Sequence, residues 1–226
     1  MALILSLETS SKNCSVSITR NGKLVNYRDI FDENYCHGEQ LHTLVENLLR
    51  ESKIVIQDFD AFAISAGPGS YTGLRIGAAA IKGFSFALDK PMISISTLYS
   101  MVFSLQKSSL IAQNKYDLFV PVLSSRKGEV YLAIYDDKTE IVPPTACVIE
   151  SFPFFKYFQN NKICLFGPGI DKLRSTLQNK SITYLNNDYP SSKDLGLIAE
   201  IKFQNQDFVN LAYFEPTYLK PFITNS

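Results

Sequence analysis

The sequence predicts an α/β protein of two related domains, each a mixed sheet flanked by helices. Three observations lead there: apolar strand runs alternate with helical periodicities, each half opens on a β-hairpin, and the second half repeats the signals of the first. With 226 residues the chain fits one large or two small domains, and a chain of this size buries about 70–75 % of its unfolded surface without disulfide or metal staples. The 46 % hydrophobic and 19 % charged residues are those of a folded globular protein, not a disordered one. Lys+Arg and Asp+Glu are both 22, so there is no chain-wide attraction to nucleic acid or membrane, and contact with RNA needs a local patch or a partner.

Ala2 to Leu7 is an apolar run. After the polar break at residues 9–13, Cys14-Ser15-Val16-Ser17-Ile18 alternates as a half-buried strand does, and Asn21-Gly22 turns the chain into a third strand, Lys23 to Ile30. From Gly38 to Arg50, Leu41, Leu44, Val45, Leu48 and Leu49 recur at helical spacing with Glu39, Glu46 and Asn47 opposite. A buried strand over Asp60 to Ala66, the turn Gly67-Pro68-Gly69-Ser70 and a helix from Tyr71 to Leu88 come next. A short strand at Ile93 to Ile95 and a helix over Thr97 to Gln106 complete a first domain, residues 1–106.

The second domain, residues 107–226, restates this plan. Leu118 to Ser124, the turn Ser125-Arg126-Lys127-Gly128 and Glu129 to Ile134 echo the first hairpin. Lys162 to Phe166 with Gly167-Pro168-Gly169 echoes the strand and turn at 61–69, and a helical pattern is expected after each.

No apolar run approaches the roughly 20 residues of a membrane span, and Met1 to Glu8 has no cationic leader, which places the chain in the cytoplasm. Cys14, Cys36, Cys147 and Cys164 form no CxxC pair and read as reduced thiols. His37 and His42, five apart, diverge by about 140° around a helix and cannot chelate one metal; no metal site is expected. No Cys-His or Ser-His-Asp set appears, so no catalytic residue is assigned.

Two motifs admit more than one reading. The glycines from Gly67 to Gly77 invite a phosphate loop, but Thr72 stands where GxGxxG needs glycine and Leu74 where the Walker pattern needs lysine. The alternative is a structural turn of Gly67 and Gly69 with Ser70 capping the helix. The helix 71–88 is apolar around much of its circumference, and its small residues Gly73, Gly77, Ala80 and Gly83 admit close approach either within the domain or by a partner chain.

Ser65 to Gly77, with Leu7-Glu8-Thr9-Ser10 before it, Arg126-Lys127-Gly128-Glu129-Val130-Tyr131 after it and Pro216-Thr217-Tyr218-Leu219-Lys220 near the end, closely resembles the TsaB (YeaZ) family. The resemblance implies two ribonuclease H-like domains of the actin-like, sugar-kinase-like ATPase fold. It implies a subunit, not itself an enzyme, of the bacterial machinery that makes threonylcarbamoyladenosine in tRNA. Its expected partners are TsaD, the catalytic paralogue, the small ATPase TsaE, and a second copy when alone, with tRNA met only through the complex. The docking residues so implied are Leu41, Val45, Leu48, Tyr71, Leu74, Arg75, Ile76, Ala79, Ala80 and Gly83. No cofactor is required. Weak ATP or ADP binding with magnesium would use Glu8, Thr9, Ser10, Gly167 and Gly169, and a rival reading makes that cleft an ATP-dependent phosphotransferase or carbamoyl transferase. Glu8 and Ser124 both stand where the family more often has Asp, which weakens autonomous ATP hydrolysis.

Overall fold

The computed structural model describes residues 2–33, 36–111, 115–185 and 189–220. The first sheet comprises β1 (Leu3–Glu8), β2 (Asn13–Arg20), β3 (Lys23–Phe31), β4 (Ala61–Ser65) and β5 (Met92–Ile95) in the order β3-β2-β1-β4-β5. β1, β2 and β3 form an antiparallel meander, while β4 runs parallel to β1 and β5 parallel to β4. The second sheet has β6 (Leu118–Ser124), β7 (Glu129–Tyr135), β8 (Glu140–Val148), β9 (Ile163–Phe166) and β10 (Ile182–Tyr184) in the order β8-β7-β6-β9-β10. Its first three strands are again antiparallel, with β9 parallel to β6 and β10 parallel to β9. The two orders and senses are identical, so the internal repeat is a duplication of topology.

In the first unit, α1 (His37–Ser52) and α2 (Tyr71–Leu88) lie on the sheet. α1 buries Leu41, Leu44, Val45 and Leu48 in a core with Leu3, Leu5, Leu7, Val16, Ile18, Phe62 and Ile64. Ser70 caps α2 by accepting a bond from Gly73 N, and Asp89 ends it in the left-handed conformation.

The alternation of β2 suggests one wet face, yet every residue from Asn13 to Thr19 is buried. The cover is the end of the chain. Residues 190–217 return to the first unit, with Ser192 N and Ser192 O bonded to Ser15 Oγ and Ser17 Oγ, and Asn13 Nδ2 donating to Pro190 O. The helix α4 (Gly196–Gln204) packs beside them, and a Cβ at Gly196 would sit 2.2 Å from Thr19 Cγ2. The compact units are therefore residues 1–100 with 190–217 and residues 101–189 with 218–226, a different division from 1–106 and 107–226. The serines of β2 are small enough to admit a polar segment, whose hydrogen bonds they satisfy.

The second unit departs from its twin after Gly169. The expected helix is a single 3-10 turn, Ile170–Lys172. Ile170, Leu173 and Leu177 anchor it in the core, but Ser175, Thr176 and Asn179 favour side-chain-to-backbone bonds over helix, and so short a segment lacks the length for helix propagation. β8 carries Pro143 and Pro144, which an edge strand tolerates and a central strand does not. α3 (Thr97–Lys107) carries the chain from the first unit to the second. No described helix is long and apolar enough to cross a membrane.

A chain ending at residue 189 should lose protection at the amides of β1 and β2 while β6 to β9 stay protected. Hydrogen exchange with mass-spectrometric detection tests this, and equal protection of both sheets would show that residues 190–217 are dispensable cover.

Candidate functional site

Two of the family-like segments, Leu7 to Ser10 and Ser65 to Gly77, meet where the β1–β2 turn lies against α2. Gly73 and Gly77 lie four residues apart on one face of α2, and Gly69 stands in the turn just before its cap. A Cβ at Gly69 would sit 2.3 Å from Ser10 O, one at Gly73 2.1 Å from Thr9 O, and one at Gly77 2.3 Å from Thr9 Oγ1. The turn thus occupies the space that three side chains would take. Ser70 N donates to Ser10 O at 2.6 Å, and Gly67 N donates to Thr97 Oγ1 at 3.2 Å. At this helix start the Ser70 and Gly73 amides are engaged by the chain itself, the second through the Ser70 cap. Gly67 needs its φ of +103°, because the residue 217 backbone passes over it and Thr217 N bonds to Ala66 O at 2.8 Å.

His37, at the head of α1, closes the other side. Its Nε2 lies 2.7 Å from Ser11 O, and its ring rests against Gly73. Burial lowers its pKa, against the raising effect of the Ser11 bond, so the neutral ring donates to the carbonyl. His42, by contrast, is exposed on the same helix. Histidine spacing bears only on metal chelation and does not reveal that His37 latches the turn; the bare face at Gly73 is the signal that could have found it.

Glu8, Thr9 and Ser10 are all buried within the first unit. Ser10 N donates to Glu8 Oε1 at 2.6 Å. Burial raises the Glu8 carboxyl above its ordinary pKa, opposed by hydrogen bonds from Ser10 and Ser65. This carboxyl closes a turn.

In the second unit Gly167 has φ +104°, matching Gly67, and a Cβ at Gly169 would meet Leu123 C at 2.7 Å. Lys172 Nζ donates to the carbonyls of Ser125, Arg126 and Glu129 at 2.9, 2.8 and 3.1 Å, so an internal ammonium holds the β6–β7 turn. Burial lowers its pKa, against the raising effect of Glu129, which pairs with Lys220. Ser124 is exposed at the end of β6.

The residues expected at a partner surface divide. Leu41, Val45, Leu48, Leu74 and Ala80 belong to the core of their own unit and are unavailable to a partner. Tyr71 and Ile76 are half-buried, and Arg75, Ala79 and Gly83 are exposed. Thr72, Arg75, Ala79, Gly83 and Phe86 form one stripe along the outside of α2, with Phe86 82 % exposed and nothing near a Cβ at Gly83. Arg75 is fixed there, its guanidinium 5.4 Å over the Tyr71 ring. Much of the remaining apolar circumference of α2 is covered by its own chain, with Val209, Leu211 and Phe214 packed on the same core and Lys82 over the Phe214 ring.

A family model described as "TsaD: tRNA N6-adenosine threonylcarbamoyltransferase" matches residues 34–212. The tRNA threonylcarbamoyladenosine biosynthesis protein TsaB of Haemophilus influenzae is 25 % identical over 98 % of this chain and 94 % of its own length. The chain belongs to the TsaB (YeaZ) family. The Escherichia coli TsaB is 30 % identical over 58 % of this chain and 54 % of its own. YeaZ from Pseudomonas aeruginosa superposes with a TM-score of 0.79 at 22 % identity over 97 % of this chain and all of that one, which establishes the shared fold. A second P. aeruginosa structure, of a protein with similarity to peptidase YEAZ, gives 0.83 at 22 % over the same shares.

The turn can be tested at two of its contacts. Gly77→Ala should destabilise the protein by about 1–3 kcal/mol, because its methyl meets Thr9, whereas Gly83→Ala should stabilise it by about 0.5–1 kcal/mol through helix propensity. Chemical denaturation measures both, and equal signs would mean that the turn does not lie on the helix. Because His37 has a lowered folded pKa, its contribution is whole above the unfolded value near 6.5 and declines as pH falls below it. Melting temperature should therefore drop more steeply between pH 7 and about 5 in the wild type than in His37→Gln.

Proposed function

We propose that this chain is a non-catalytic subunit of the machinery that transfers a threonylcarbamoyl group to adenosine of tRNA, and that it works by docking the outer face of α2 on TsaD. The exposed stripe from Thr72 to Phe86 carries this reading: it ends on an exposed phenylalanine and is made of residues small enough at Ala79 and Gly83 for another helix to approach closely. α1 lies beside it, with Gly38 near Ile76 and His42 edge-on to Phe84 at 6.0 Å, so two helices form the surface. The names of the relatives support the pathway, and the family model links the chain to TsaD. The non-catalytic assignment is supported by the internal engagement of both hairpin turns, by Ser70 and His37 in one unit and Lys172 in the other.

TsaE is the further partner, tRNA is met in the assembled complex, the cytoplasm is its place, and the same stripe serves a homodimer when TsaD is absent. Ala79→Glu should leave the monomer folded, since this side chain points outward, and should abolish both assemblies because a buried unpaired charge costs several kcal/mol. Glu46→Ala on α1 should change neither by more than about twofold. Size-exclusion chromatography with light scattering, alone and with TsaD, reads the result. Intact complexes of Ala79→Glu would move the docking surface elsewhere, and magnesium-dependent ATP turnover by the isolated chain, lost in Glu8→Ala, would make it an enzyme.

A further inference from the structure

The second unit has a recess of about 630 Å³, walled by Phe155, Phe158, Leu177 and Ile182 and rimmed by Gln159, Gln178 and Lys180. Its volume lies in the range of small-molecule sites. The walls are held in place. Tyr184 Oη donates to Leu177 O at 2.6 Å and Asn179 Nδ2 to Phe158 O at 2.6 Å, while Ser181 N donates to Asn179 Oδ1 at 3.0 Å. Phe155 is braced by Phe152 with ring centroids 5.2 Å apart and yet remains 49 % exposed. An aromatic face held out of the core in this way offers a stacking platform.

The one charged side chain lining the recess among the described residues is Lys180. The chain as a whole is neutral, but residues 151–185 contain Lys156, Lys162, Lys172, Arg174 and Lys180 against the single acid Asp171. Asp171 is paired with Arg174 at 2.9 Å, and among the described residues no carboxylate lines the recess. Stacking surface, side-chain amides and a cation are together the chemistry of a nucleotide: Phe155 would take the face of the base, Gln159 and Gln178 its polar edge, Lys180 the phosphate. An apolar ligand would make no use of the amides, and a neutral sugar none of Lys180.

We propose that this recess binds one nucleotide, either an unpaired residue of an RNA strand or a free mononucleotide. No residue of the α2 stripe lines the recess. It is tested on the full isolated chain by monitoring the Leu177 and Ile182 methyl resonances while adding adenosine 5′-monophosphate or a single-stranded hexaribonucleotide. Both methyls should shift. A gain of tenfold or more for the hexaribonucleotide identifies an RNA strand as the source, and equal or weaker binding identifies the free nucleotide. Phe155→Ala should weaken binding about 5- to 100-fold, the range for losing one stacked base. Lys180→Glu, at an exposed position, should weaken it at low salt and reduce the salt dependence. Unmoved methyls at millimolar probe, or wild-type affinity in both variants, would overturn the assignment. Ala79→Glu should bind as wild type does, which separates this site from the docking surface.

Discussion

The approach of the β1–β2 turn to α2 is the constraint on which the first unit depends. Oxygen atoms of residues 9 and 10 crowd the positions where Cβ atoms would stand, and only the bare turn at Gly69 and the bare helix face at Gly73 and Gly77 permit it. The contact fixes the rotation of α2 about its axis. With Gly73, Leu74, Gly77, Ala78 and Ile81 turned inward, Thr72, Arg75, Ala79 and Gly83 must face out. One packing decision therefore sets both the part of the helix that is filled, its start, and the part that is offered, its outer stripe.

The duplication shows how one topology can keep its frame and change its use. Gly67 and Gly167 share a backbone conformation, and Gly69 and Gly169 are both pressed by the end of the leading hairpin strand or its turn. The means of closure differ: backbone amide and histidine in the first unit, a lysine ammonium in the second. The segments after the glycines differ too. An 18-residue helix in the first copy corresponds to a three-residue turn in the second. The shortened copy leaves the Phe158 and Leu177 segments to form walls of their own.

Much of this was legible in the sequence, because periodicity and turn chemistry are local. The limits of α2, the Ser70 cap and the paired Gly-Pro-Gly turns depend on residues within a few positions of each other. The features that escaped reading depend on contacts distant in sequence. Ser15 and Ser17 look solvent-facing until Ser192 covers them, and Leu41, Val45 and Leu48 look available to a partner until Leu7 and Ile64 claim them. The excess apolar surface of α2 had the same cause, since Phe214 and its neighbours cover part of it from the far end of the chain. The latch at His37 and the ammonium of Lys172 carry no spacing signature, because each acts on carbonyl groups that every residue possesses.

The most direct measurement of the central claim is the exchange rate of the Ser70 amide in the isolated chain, with and without magnesium ATP. Its bond to Ser10 O predicts slow exchange in the free protein and no change on adding nucleotide. Fast exchange that nucleotide slows would show an open anion site at the head of α2, and the closed turn would be contradicted.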